Sequence, residues 1–111
     1  MVPTTSWIFL LLAIGFEVAG TTSMKLADGF TRLIPSLAVF GFYALSLTFL
    51  TLSLKRIDVS VAYAIWAGLG VIAISIIGVV AFGESMTVAK AGFIALIVIG
   101  VVGLNLVGDA H

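Results

Sequence analysis

Four stretches of this 111-residue chain carry no charge or almost none: Trp7–Met24, with a single acid inside it, Pro35–Leu54, Val59–Gly83 and Ala91–Gly108. An α-helix needs roughly 20 consecutive apolar residues to cross a bilayer, and each stretch is about that long. Composition agrees, with 62% hydrophobic and 9% charged residues, where globular domains carry about 25% charged. The breaks KLADGFTRLI, KRID and GESMTVAK are short and hold nearly all the charge. Asp28-Gly29 is a turn dipeptide, and Pro35 suits the first turn of a helix. The expectation is an all-α integral membrane protein, with residues 1–111 forming a single four-helix transmembrane domain. Its helices are placed at about 6–26, 34–54, 59–82 and 87–107. Connections this short force neighbouring helices to be antiparallel. The opening MVPTTS has no Lys or Arg, so the first segment reads as retained rather than as a signal peptide.

The acid inside the first stretch is Glu17, near its middle; Asp28, Asp58, Glu84 and Asp109 all fall at segment boundaries or the C-terminus. A carboxylate at that depth costs on the order of 3 kcal/mol on insertion scales, so an intramembrane acid is a functional-site hypothesis by default. Low-dielectric surroundings disfavour a bare carboxylate and favour one that has taken up a proton or a cation.

Other chemistries find little support. The chain has no Cys, and its only His is the terminal His111, which leaves little for a thiolate, a His-based metal site or a Ser-His pair. With no His or paired Asp inside a helix, an enzyme is not expected, and no cofactor is implied. Net charge is zero with no basic run, so nucleic acid is not an expected partner. Lys55 and Arg56 lie on one side of the membrane with both termini, against Lys25, Arg32 and Lys90 on the other. Two against three is a weak bias under the positive-inside rule, so the chain either takes one orientation or inserts both ways. Two oppositely inserted copies would supply between chains the inverted repeat that many transporters hold within one.

Ala13, Gly20 and Thr21 share the face of Glu17 at i−4, i+3 and i+4. Such small residues serve either close helix packing or ligand space. Tyr63 and Trp66, in AYAIWAGLG, share a face of the third helix. They fit either an interfacial aromatic belt or a cation-binding wall. Tyr43 and Ser46 sit mid-helix in the second segment, and a carboxylate is an obvious partner for the Tyr43 hydroxyl. Trp7 either closes a cavity or anchors the interface. Gly68 and Gly70 read either as a bend or as close packing. Ala91, Ala95, Gly100 and Gly103, with Gly92, give the last helix the small-residue pattern of a packing or dimerising helix.

The strings FEVAGTTSMK, DGFTRLIPS and VAYAIWAGLG, with the LNLVGDAH tail, resemble the small multidrug resistance family of bacterial proton-coupled exporters over essentially the whole chain. The resemblance implies an antiparallel, dual-topology homodimer, multi-pass in the bacterial inner membrane and surrounded by lipid. It implies that Glu17 of both subunits binds either protons or one cationic substrate. It makes Tyr63 and Trp66 site aromatics, with Tyr43, Trp7, Thr21, Ser46 and Gly20 around them. It makes Gly68 and Gly70 a bend in the third helix and the fourth helix the dimer contact. Exporters of guanidinium in this family resemble E-x-x-W after the carboxylate; here that position is Gly20, as in exporters of lipophilic quaternary ammonium cations. The FGES string at Phe82–Ser85 resembles the guanidinium group instead. The expected function is therefore proton-coupled antiport of quaternary ammonium cations. A guanidinium exporter, or one subunit of a heteromeric pair, is the alternative. Rotor-ring proteolipids also bury one carboxylate but are two-helix hairpins, and four segments argue against them. An accessory partner of a larger transporter is the remaining rival.

Overall fold

The computed structural model describes residues 2–108; Asp109, Ala110 and His111, which end the LNLVGDAH string, lie outside the described residues. Four α-helices follow in order: α1 (Thr4–Ala27), α2 (Leu33–Ser53), α3 (Val59–Phe82) and α4 (Val88–Gly108). All four are long and apolar enough to cross a membrane, and no strand occurs among the described residues. The chain forms two compact units, one of α1 with α2 and one of α3 with α4.

Local chemistry sets the helix ends. Pro3, in extended conformation, precedes the first turn of α1, where its missing N–H costs nothing. The Asp28-Gly29 turn forms as its composition predicts, and it continues one residue further. Asp28, Gly29 and Phe30 take successive left-handed conformations with φ of 49°, 69° and 65°. Glycine adopts this region freely, but a residue as bulky as Phe does so at a cost. Phe30 gains in return a stacked contact with Phe40 of α2, ring centroids 6.0 Å apart. The buried Ala27 carbonyl accepts from the N–H groups of Thr31 and Arg32. Thr87 opens α4, its Oγ1 accepting the Lys90 N–H at 3.0 Å, which satisfies one of the unpaired donors of the first turn.

In the first unit α1 and α2 meet along most of their length. Leu10, Ala13 and Ile14 of α1 and Val39 and Ser46 of α2 are buried. Four rings form a ladder along this seam: Phe9 on Phe49 (5.8 Å), Phe49 on Phe16 (5.7 Å) and Phe16 on Phe42 (6.2 Å). Each helix contributes two rings seven residues apart, so each pair shares a face. In the second unit α3 is helical without interruption through Gly68 and Gly70, both buried. At Gly68 the packing against α4 is so close that a Cβ there would lie 2.8 Å from Val101 Cγ2. For this glycine, close packing is what the geometry displays. Nothing in the apolar stretch of α4 is buried.

Candidate functional site

Glu17 lies just past the midpoint of α1 and is half-buried. The helical repeat sets Gly20 and Thr21 on the same face one turn later. The Thr21 hydroxyl donates to Glu17 Oε1 at 2.8 Å. The same Thr21 oxygen is 2.6 Å from the Tyr43 hydroxyl of α2. A threonine hydroxyl has one hydrogen, so while Thr21 donates to the carboxylate, Tyr43 is the donor to Thr21. The Tyr43 hydroxyl also makes a long contact, 3.9 Å, with Met24 Sδ. The expected Tyr43–carboxylate pairing is thus corrected to a relay: Thr21 stands between the two groups and links them through two short hydrogen bonds.

Gly20 makes this arrangement possible. A Cβ at Gly20 would sit 3.1 and 3.2 Å from the Cε2 and Cδ2 atoms of Tyr43, tighter than ordinary van der Waals contact. A side chain there would make the Tyr43 ring give by a few tenths of an ångström, so glycine lets the ring pack closely on α1 while its hydroxyl reaches Thr21. The small face around Glu17 therefore serves packing, and the packing positions a polar group at the acid.

The remaining sequence-derived site residues divide. Ser46 is fully buried, but its hydroxyl donates to the backbone carbonyl of Ala13 at 2.8 Å and makes no hydrogen bond to Glu17. In a regular helix that carbonyl also accepts the Glu17 N–H, so Ser46 is tied to the turn from which Glu17 projects rather than to its carboxylate. Trp7 is half-buried and lies ten residues before Glu17, about 15 Å along the axis at 1.5 Å per residue, outside the hydrogen-bonded cluster. Tyr63 and Trp66 stand one turn apart on α3, Tyr63 69% exposed and Trp66 half-buried. Ala91, Ala95, Gly100 and Gly103 all lie exposed on α4, yet they do not form one face. Ala91 lines a groove against α3, whereas Gly100 and Gly103 have nothing within 4 Å of a built Cβ. The Phe ladder escaped the sequence reading, although the spacing of seven from Phe9 to Phe16 and from Phe42 to Phe49 was its visible signal.

Comparison with known proteins agrees with this architecture. The family model described as Small Multidrug Resistance protein matches residues 5–97. The chain is 59% identical over 102 residues to the uncharacterized membrane protein YvaE of Bacillus subtilis (strain 168), covering 92% of this chain and 86% of the relative. It is 45% identical over 107 residues to the multidrug resistance protein mmr of Mycobacterium leprae (strain TN), covering 96% and 99%. It is 43% identical over 108 residues to the quaternary ammonium compound-resistance protein QacF of Klebsiella aerogenes, covering 96% and 98%. Four membrane-crossing helices, an intramembrane carboxylate and these matches lead to one conclusion: the chain belongs to the small multidrug resistance family of membrane transporters, multi-pass proteins of the bacterial inner membrane rather than enzymes.

Proposed function

We propose that this protein is a proton-coupled antiporter that exports lipophilic, quaternary ammonium-type cations, with protons and substrate competing for Glu17. The observation that carries this reading is the Glu17–Thr21–Tyr43 relay inside a helix apolar enough to span the membrane. A carboxylate inside an apolar span is costly unless it is paired, and a cation supplies the pairing charge. It also sits in a fixed direction because Thr21 and Tyr43 hold it. A lipophilic cation gives up little hydration on entering such a site, and aromatic faces attract it; Tyr63 and Trp66 are assigned that role, with Trp7 at the edge of the path. Gly20 stands where the guanidinium exporters' E-x-x-W string has its Trp, and this difference in sequence favours the quaternary ammonium class. The relatives named for quaternary ammonium and multidrug resistance support the same substrate class.

The working unit in this reading is a homodimer of oppositely inserted subunits. The near-balance of Lys55 and Arg56 against Lys25, Arg32 and Lys90 supports dual insertion. The uncovered Gly100 and Gly103 of α4 support a helix-helix contact between subunits. If the site opens to one side at a time, inward proton flow expels the cation. Each net charge moved gains about 2.3 kcal/mol per 100 mV of membrane potential. A second reading, export of guanidinium compounds, rests on the Phe82–Ser85 string alone.

Binding of a bulky quaternary cation and of guanidinium to detergent-purified protein, measured across pH, tests both. The expected result is preference for the bulky cation, with affinity rising as pH rises, and loss of binding in Glu17→Gln. Preference for guanidinium transfers the assignment to the second reading, and undiminished binding by Glu17→Gln overturns both.

A further inference from the structure

The second unit holds a feature that cation transport does not use. Near Gly68 and Val101, α3 and α4 are in tight contact. Beginning four residues further along α3, at Ile72, and running to Val80, the two helices enclose an open groove of about 450 Å³. Its walls include Ile72, Ile76 and Val80 of α3, Met86 of the connection, and Ala91 and Ile94 of α4, and Ser75 contributes its only hydroxyl. The groove thus lies at the end where α3 and α4 reach the membrane surface, beside the connection that joins them.

Its rim on the α4 side carries a positive charge. Lys90 stands in the first turn of α4, next to Ala91, and its ammonium reaches back to the Ser85 carbonyl at 2.9 Å, next to Met86. It therefore spans the rim between two groove-lining residues. The first turn of α4 contains no acidic residue, so the positive end of the helix dipole adds to Lys90. Glu84, the one acid of the connection, lies back along α3 with its carboxylate against Gly78.

A second copy of this chain is the competing occupant, and the faces of α4 argue against it. Ile94, Val98, Val101 and Asn105 recur at steps of four, three and four and are the half-buried residues of α4; Ile94 and Val101 fix this as the face toward α3. Gly92, Leu96, Ile99 and Gly103 recur at the same steps on the opposite side, where the glycines have nothing within 4 Å. A helix packed on the glycine face leaves the groove open. An apolar slot between membrane helices with a cation at its surface rim matches the two halves of a lipid.

We propose that this groove is a binding site for one anionic phospholipid, an acyl chain filling it and the phosphate seated on Lys90. The groove's lining includes no residue of the Glu17–Thr21–Tyr43 cluster, and the proposal does not depend on the transport assignment. The test is native mass spectrometry of protein released from detergent micelles doped with phosphatidylglycerol or, in parallel, phosphatidylcholine. The expected result is one phosphatidylglycerol retained per subunit in preference to phosphatidylcholine. Lys90→Gln should lower phosphatidylglycerol retention at least fivefold and abolish the preference. Ala91→Phe, which fills the groove, should abolish retention of both lipids, while Leu104→Phe, exposed further along α4 and outside the groove's lining, should leave lipid retention unchanged. Helical content by circular dichroism checks folding, and Val80→Trp fills the groove from the α3 side if Ala91→Phe does not fold. Undiminished retention in the filled variants overturns the proposal, as does equal binding of both lipids. So does a change in dimer fraction in Ala91→Phe with lipid retention intact, which would give the groove to a second copy.

Discussion

At the residue scale the relay turns on Thr21, which carries both hydrogen bonds between Glu17 and Tyr43. Thr21→Val keeps the branched shape and removes both. Of the two, the bond to the Glu17 carboxylate is the one that acts on the cation's partner, and at about 1.5 kcal/mol net for a charged acceptor its loss is expected to lower affinity for a quaternary cation roughly tenfold, with the protein still folded. Titration calorimetry at high pH, where protons compete least, reads this directly. Unchanged affinity would reduce Thr21 to a packing residue. Glu17 was legible in the sequence because a lone acid in an apolar run has few innocent explanations. Thr21 was legible as a hydroxyl at i+4, but its position between the acid and Tyr43 was not. That depends on Gly20 letting a ring from another helix close in, and a single chain's spacing does not state which helix approaches which face. Ser46 illustrates the same limit, since its partner is a backbone carbonyl of Ala13, and backbone acceptors leave no mark in a sequence.

At the scale of elements, the four helices could be read from hydropathy alone, because a membrane leaves a backbone few other ways to satisfy its hydrogen bonds. The helix partnerships could not. Both glycines of α3 admitted a bend or a close contact, and the structure displays the contact at Gly68. Gly68→Ala is expected to destabilise the α3–α4 contact, since its Cβ would press on the stiff, β-branched Val101. Overpacking of this kind costs typically 1–3 kcal/mol. The double variant Gly68→Ala/Val101→Ala should recover much of the loss. A cycle of thermal or denaturant unfolding in detergent measures the coupling, and additive effects would remove the contact from the account. The three left-handed residues Asp28, Gly29 and Phe30 were half legible. The dipeptide announced a turn, but the placement of Phe30 depends on Phe40, ten residues away in the next helix.

For the whole molecule, charge counting reaches as far as the weak orientation bias, and the uncovered side of α4 extends it. Gly100→Leu adds bulk where the described chain has no neighbour, so a single subunit should fold as before. A dimer built on that face should weaken, and cation binding that needs two copies of Glu17 should weaken with it. Crosslinking yield in membranes and sedimentation in detergent check this; a dimer fraction equal to the unsubstituted protein would move the contact to another surface. The seam between α1 and α2 bears on how such a molecule moves. Rings from the two helices alternate along it, Phe9, Phe49, Phe16, Phe42, and the Ser46 hydroxyl bolts the same seam to the turn beneath Glu17. Sliding one helix past the other by a single residue would turn the rings out of register and break that bolt together. Under the proposed opening to one side at a time, α1 and α2 therefore swing as one lever, with the flexing left to the connections at its ends.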